Sequence, residues 1–105
     1  EQMKTSAQIK MNYREAMQQA RDLDTLAGKI RTTANQKVEQ SMQLLSSGWK
    51  GNNASDFLRK YSELKRQILA SADELNSIAD DIRRTAQIVY NAEMEALRIA
   101  QTRSV

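Results

Sequence analysis

Apolar residues in the first half of the chain recur in alternating steps of four and three, at Ala16, Ala20, Leu23, Ala27, Ile30 and Ala34. This alternation is typical of the narrow apolar stripe of a helix that packs against another helix. A second consecutive step of four, from Ala34 to Val38, interrupts the alternation and should locally relax the supercoil. Asn12 is a suitable N-cap, with Glu15 as its capping-box partner, so the pattern predicts a helix from about residue 12 to about residue 45.

The second half of the chain has a repeat of seven. Ile68, Leu75, Ile82, Val89 and Ala96 are spaced by seven, and Ala72, Ala79, Ala86, Glu93 and Ala100 follow each of them by four. Alanine at one of the two seam positions lets a neighbouring helix come close. The repeat predicts a second helix from about residue 53 to about residue 98, followed by a short C-terminal tail over residues 99–105.

The cluster of Ser, Gly and Asn residues at 46–53 predicts the turn between these helices. The expected fold is therefore all-α: one antiparallel helix-turn-helix hairpin that forms a single domain over residues 1–105. With the turn near residue 50, residue i should lie beside about residue 100 − i. Residues after about 88 are then expected to extend past the first helix without a partner in the same chain.

A second row of apolar residues lies outside the main stripe, and one hairpin cannot cover both rows. A two-helix unit also buries too little apolar area to offset the entropy of ordering its chain. We therefore expect two hairpins to pair into a four-helix bundle. The residues expected at this dimer interface are Leu26, Met42, Leu58, Tyr61 and Leu69.

The composition offers little catalytic chemistry. The 105 residues include no Cys, no His and no Pro, which excludes disulfides, thiolate nucleophiles, most zinc sites and the usual near-neutral general base. The neighbouring carboxylates, such as Asp80 and Asp81, point in different directions on a helix and are poor acid–base pairs. We expect no enzyme activity, no catalytic residue, no metal and no cofactor.

The charge and hydropathy patterns restrict the partners. The 16 basic and 13 acidic residues are interspersed and leave a net charge of only +3, so we expect no nucleic-acid binding. No run of 18 apolar residues occurs, so we expect no stable membrane insertion. The first ten residues, EQMKTSAQIK, include no apolar h-region, so no cleavable signal peptide is expected there.

One tripeptide, Trp49-Lys50-Gly51, stands at mid-chain between the two predicted helices. Together with the length, the helices on both sides and the absence of cysteine, it resembles the WXG superfamily of small type VII secretion substrates. Ala54 and Phe57 match the small residue and the aromatic residue that often follow the glycine in that family. The resemblance implies that Trp49 and Gly51 form part of a secretion signal. Trp49 could alternatively act only as a structural plug of the hairpin.

A C-terminal pattern of the same family places a hydrophobic residue four before an acidic residue, with small or apolar residues seven and eleven after the first. Val89, Glu93, Ala96 and Ala100 fit these spacings. The stricter form, a tyrosine with an acidic residue four later, is not met, because Met94 stands four after Tyr90. An acid such as Glu93 on the apolar seam is unusual for packing. The resemblance implies that Tyr90 and Glu93 belong to a C-terminal signal.

The resemblance implies a small virulence-factor-like protein that is exported from the cytoplasm as a folded dimer and is secreted or held at the cell surface. Its implied partners are a second copy or a related helical hairpin, and an FtsK/SpoIIIE-type secretion ATPase. An alternative is a targeting partner or chaperone of a larger LXG-type secreted toxin. A second alternative is a cytoplasmic structural coiled-coil protein.

Overall fold

The computed structural model describes residues 3–48 and 51–103. Its elements are α1 (Ser6–Thr32), a π-helix (Thr33–Val38), α2 (Glu39–Ser47) and α3 (Asn52–Arg103). Across these described ranges the chain forms no strand. The predicted all-α class, with two helical arms joined by a turn, is confirmed.

The first helix begins at Ser6, so the prediction of a start near Asn12 is wrong. The Gln8 backbone N–H donates to Thr5 Oγ1 at 3.2 Å, and the Thr5 backbone N–H donates to Gln8 Oε1 at 2.8 Å. These two bonds form a reciprocal capping box, which pairs backbone donors that have no intrahelical acceptor. The cap therefore lies seven residues before Asn12, which is an exposed position inside α1.

The first arm is not a continuous α-helix, because a six-residue π-helix spans Thr33–Val38. This segment holds Ala34 and Val38, the two residues of the extra four-residue step. A π-helix has more residues per turn than an α-helix, so it accommodates a step of four without turning the apolar residue away from the seam. Ala34 accordingly remains buried.

The turn between the arms is shorter than the predicted 46–53. α2 extends to Ser47, and α3 begins at Asn52 and continues to Arg103, past the predicted end near residue 98. Gly51 has φ +84°, a left-handed conformation that glycine adopts without the steric penalty of a Cβ. The Ser55 N–H donates to the Gly51 carbonyl at 3.3 Å and so begins the bonding of α3.

The chain divides into two compact units, which we describe separately. The terminal unit comprises Glu1–Leu23 and Ser77–Val105. Its segments of α1 and α3 are antiparallel, with Tyr13 beside Gln87, as the rule of 100 − i predicts. The expectation that residues after 88 lack an intrachain partner is wrong, because Tyr90 contacts Tyr13 and Glu93 pairs with Lys4. For Glu93 the error follows from the predicted start of the first helix, which left out the residues near Lys4. Tyr90 contacts Tyr13, which was inside the predicted helix, because these two partners are offset by three residues from the rule of 100 − i.

The central unit comprises Asp24–Asn76. A network of polar side chains joins its two arms: Asn76 Nδ2 donates to Asp24 Oδ1 at 2.6 Å, and Arg31 Nη2 donates to Asp73 Oδ1 at 2.7 Å and also to Asn76 Oδ1. A separate ion pair joins Lys65 Nζ to Glu39 Oε2 at 2.8 Å. The arms are antiparallel, as predicted, and Asp24 and Asn76 follow the rule of 100 − i. The partners of Arg31 and Lys65 lie about one to two helical turns beyond the positions that the rule gives.

Small residues form most of the buried core. The buried side chains are Ile9, Ala20, Ala79 and Ala86 in the terminal unit and Ala27, Ala34 and Ala72 in the central unit. Six alanines of the predicted seam are therefore buried, as close helix packing requires, whereas Ala16 and Ala100 are half-buried and Ala96 is exposed. Larger apolar side chains border the seam and stay partly exposed, and Leu44 is 77% exposed. Among the described residues, no large side chain is fully buried.

Candidate functional site

The terminal unit contains an open apolar groove of about 390 Å³ between its two helical segments. Its apolar walls come from Ile9 and Tyr13 on α1 and from Ile78, Ile82 and Val89 on α3. Ile9 is 3% exposed and anchors the groove, whereas Ile78 and Val89 each leave nearly half of their surface in water. An uncovered apolar surface of this kind is typical of sites that bind another protein.

Two tyrosines close one side of the groove. The ring centroids of Tyr13 and Tyr90 lie 5.0 Å apart with an interplanar angle of 41°. The Tyr13 hydroxyl donates to Gln87 Oε1 at 3.1 Å, which fixes the ring against α3. Tyr90, which the sequence assigned to the C-terminal signal, therefore packs against α1 on at least one face.

Glu93, the acid on the predicted seam, also lines the groove. Its carboxylate accepts a hydrogen bond from Lys4 Nζ, with N–O distances of 3.0 and 3.2 Å to its two oxygens. The Glu93 side chain is 24% exposed and that of Lys4 is 51% exposed. This contact gives Glu93 a structural role in joining the arms, which the sequence analysis did not foresee.

The remaining residues of the predicted C-terminal signal lie further along α3. Ala96 is exposed, and Ala100 is half-buried. Between Glu93 and Ala100, Arg98 donates to Glu95 Oε2 and Oε1 at 3.0 and 2.6 Å. These hydrogen bonds lower the pKa of Glu95 below its ordinary value. The structure thus brings Val89, Tyr90 and Glu93 together at the groove and leaves Ala96 outside it.

The residues predicted at the dimer interface all lie in the central unit. Leu26 is 46% exposed, and Met42, Leu58, Tyr61 and Leu69 are half-buried. The ring of Tyr61 lies 5.2 Å from that of Phe57 on the same helix. These side chains therefore keep apolar surface in contact with water in the isolated chain.

The turn motif is only partly described. Gly51 has the positive φ already noted, and Trp49 and Lys50 lie outside the described residues. The prediction that Trp49 belongs to a signal therefore stays a prediction.

The sequence analysis missed Lys4 and Ile9, because it began the first helix at Asn12, and it gave no role to Tyr13, which lies inside the predicted helix. Two signals in the sequence could have identified this part of the site. Thr5 and Gln8 have capping-box spacing, and Ile9, Ala16, Leu23 and Ile30 are spaced by seven, which extends the seam toward the N-terminus.

Within residues 3–48 and 51–103, no three Asp or Glu side chains come together as a metal site would require. In the same described segments, no helix combines the length and the apolar character needed to cross a bilayer. The groove and its border offer apolar contact, two tyrosines and an ion pair, which is chemistry suited to recognition.

Comparison with known families agrees with this chemistry. The family WXG100, described as "Proteins of 100 residues with WXG", matches residues 8–94 and so covers most of both helical arms. No curated protein and no solved structure gives a significant match.

The fold is a helical hairpin, and the sequence of 105 residues has the Trp-x-Gly tripeptide at mid-chain; this length and this tripeptide are what the description of the family names. The chain belongs to the WXG100 family. This membership associates it with type VII secretion, and proteins of this family are small helical secreted substrates that generally pair with a partner.

Proposed function

We propose that this protein is a non-enzymatic substrate that a type VII system exports as a folded dimer, to the cell surface or the medium. The observation that carries the proposal is the match of the WXG100 family to residues 8–94, which spans both arms and the Trp49–Gly51 motif. The partly exposed apolar side chains of both units support the dimeric part, because single hairpins leave them in water.

The proposed export signal combines the turn motif, Trp49 and Gly51, with Val89, Tyr90, Glu93, Ala96 and Ala100 of α3. In an antiparallel dimer, the turn of one subunit lies near the C-terminal segment of the other, so both parts reach one receptor together. The receptor proposed is an FtsK/SpoIIIE-type ATPase. The exposure of Val89 and Ala96 supports this role, because a receptor can reach them in the folded chain.

The Lys4–Glu93 contact allows a sharp test of the signal, because either partner can be removed. Glu93→Ala and Lys4→Ala both break the ion pair, but only Glu93→Ala removes the carboxylate from the proposed signal. We expect Lys4→Ala to be secreted at the parental level and Glu93→Ala to accumulate in the cell. Secretion is measured by comparing the protein in culture medium and in cells, with a thermal melt of each purified variant.

Equal secretion of the two variants would contradict a recognition role for Glu93. If both are secreted normally, Glu93 is dispensable for export. If both fail and both melt early, Glu93 acts through the stability of the hairpin. Secretion of the parent protein that continues after loss of the ATPase would overturn the export proposal as a whole.

The dimeric state is tested by sedimentation. We expect the parent to sediment at about twice its chain mass of 12.0 kDa. Leu58→Glu or Leu69→Glu places a charge at the proposed interface and should favour the monomer, because an unpaired carboxylate is costly to bury. Ala70→Glu is the matched control, since Ala70 is exposed on the same helix. A folded parent that stays monomeric would contradict self-pairing and favour a different helical partner.

A further inference from the structure

The buried alanines of the two arms share one spacing, so their packing is insensitive to register. Ala20, Ala27 and Ala34 on the first arm are spaced by seven, and so are Ala72, Ala79 and Ala86 on α3. None of these six residues is more than 9% exposed. Displacing one arm along the other by seven residues brings alanines opposite alanines again. The alanine core therefore does not by itself select the observed register.

The larger seam residues discriminate poorly as well. In the central unit, Ile30 and Ile68 border the same small hollow. A displacement of seven residues would place Ile30 opposite Leu75 in one direction or Tyr61 in the other, and both of these are apolar or aromatic. The apolar layers can thus re-form in a displaced hairpin.

Charged residues end the alanine series on both sides. Lys65 stands seven residues before Ala72, and Glu93 stands seven residues after Ala86. Each has an oppositely charged partner on the other arm: Glu39 at 2.8 Å from Lys65, and Lys4 at 3.0 Å from Glu93. Lys65 and Glu39 are only 25% and 31% exposed, so water screens their charges less than it screens those of a surface pair.

A displaced register would separate both ion pairs. Lys65 would face Ser46 or Thr32 instead of Glu39, depending on the direction of the displacement. In the first of these directions Glu93 would face Met11. A half-buried charge that loses its partner is unfavourable, which penalises the displaced registers but not the observed one.

We propose that the cross-arm ion pairs Lys65–Glu39 and Glu93–Lys4 set the register of the helical hairpin. The turn alone is a weaker restraint on the register. The helix α2 leads into the turn and buries no residue, so its last residues could unwind without exposing the core. The proposal concerns the fold of the single chain and does not depend on the export role.

The absence of cysteine makes the register measurable by disulfide trapping. Three reporter pairs are introduced separately, and all lie within the central unit. Ile30→Cys with Ile68→Cys reports the observed register. Ile30→Cys with Leu75→Cys, and Ile30→Cys with Tyr61→Cys, report the two displaced registers. Mild oxidation followed by non-reducing electrophoresis and mass spectrometry gives the yield of each intramolecular disulfide.

The decisive variant is Lys65→Ala with Glu93→Ala, which extends the alanine series at both ends. We expect the yield of the Ile30/Leu75 disulfide to rise by about tenfold, because the penalty from the two ion pairs is removed. In that direction of displacement, Arg31 would face Asp80 instead of Asp73, and Asp24 would face Arg83 instead of Asn76, so the polar network of the central unit also finds new partners. The matched control is Lys60→Ala with Glu95→Ala. It removes the same two charge types from exposed positions of α3 and should trap only the observed register. A helical double variant that forms the Ile30/Ile68 disulfide alone would overturn the proposal.

A charge exchange decides the matter if the double variant loses its helical circular dichroism. Lys65→Glu alone sets two carboxylates against each other and should lose the Ile30/Ile68 disulfide. Adding Glu39→Lys restores an ion pair of reversed polarity and should restore that disulfide to the parental yield. If adding Glu39→Lys makes no difference to the disulfide yields, the Lys65–Glu39 pair does not set the register and the proposal is wrong.

Discussion

In the terminal unit the buried alanines are bordered by isoleucines and by the Tyr13–Tyr90 pair, whereas in the central unit they are bordered by a polar network around Asn76. Both units pack two antiparallel helical segments on small residues. The difference lies in what surrounds that narrow seam.

Apolar contact is non-directional, so the border of the terminal unit can accept another apolar surface without a defined geometry. The hydrogen bonds from Asn76 and Arg31 in the central unit need particular distances and angles. The two borders therefore suit different tasks. The terminal unit has an open apolar groove, and the central unit holds its two arms together through directional hydrogen bonds.

The largest expected effect comes from overfilling the seam. Ala72 is fully buried in the central unit, so Ala72→Leu should lower the free energy of unfolding by about 1–3 kcal/mol. Ala86→Leu in the terminal unit should cost clearly less, because Ala86 lines the open groove, where a larger side chain has room. Urea unfolding followed by circular dichroism measures both, with Ala70→Leu as the exposed control. Equal costs at Ala72 and Ala86 would remove the packing difference between the units.

The next effect concerns the polar border. Asn76→Ala removes the amide that bonds both Asp24 and Arg31, which should lower the free energy of unfolding by about 1–2 kcal/mol. Tyr13→Phe in the terminal unit removes one exposed hydrogen bond to Gln87 and should cost about 0.5 kcal/mol. The same unfolding experiment compares the two variants. A larger loss for Tyr13→Phe would contradict the view that polar contacts matter more in the central unit.

The sequence was sufficient to predict the hairpin, because the heptad spacing and the Gly/Ser/Asn cluster point to the same fold. The approximate register followed only from placing the turn near residue 50, because the heptad spacing fits registers seven residues apart equally well. The start of the first helix was not predictable with the same certainty, since Asn12/Glu15 and Thr5/Gln8 both have capping-box spacing. The structure selects Thr5, and the added N-terminal residues bring Ile9 into the seam and Lys4 to Glu93.

The candidate site was predictable only on one arm. The repeat of α3 placed Val89 and Glu93 near the seam, but their partners depend on where the other arm begins. The extra step from Ala34 to Val38 located an irregularity in the first arm, and the spacing alone did not specify a π-helix. Such details depend on contacts across the arms, which periodicity does not encode.

A smaller effect is expected at the glycines of the central unit. Gly28 is exposed inside α1, and an added Cβ would meet no atom within 4 Å. No neighbouring side chain therefore needs the space beside Gly28, although close packing is the usual reason for a small residue inside a helix. Gly28→Ala should raise the free energy of unfolding by about 1 kcal/mol, since alanine is the better helix former. Gly51→Ala should have the opposite sign, because φ +84° is unfavourable with a Cβ. A lower melting temperature for Gly28→Ala would contradict this prediction and would indicate that the fold needs the backbone freedom of glycine at this position.

The smallest effect should come from the exposed ion pairs that each unit carries within α3: Glu95–Arg98 in the terminal unit and Glu63–Arg66 in the central unit. Hydrogen bonds from the arginines lower the pKa of both carboxyl groups in the folded chain. Any stabilisation is therefore present above the ordinary glutamate pKa of about 4.3 and is lost as the pH falls through the lower folded value.

Glu95→Gln and Glu63→Gln should each lower the melting temperature slightly at about pH 7, and the difference from the parent should vanish at about pH 2. Because all four side chains are at least half exposed, the two variants should behave alike despite the different borders of their units. NMR titration of the two carboxyl carbons gives the direct check, with both midpoints expected below the ordinary glutamate value. A midpoint at or above that value for only one of them would show that the surrounding unit, and not the neighbouring arginine, controls the carboxyl group.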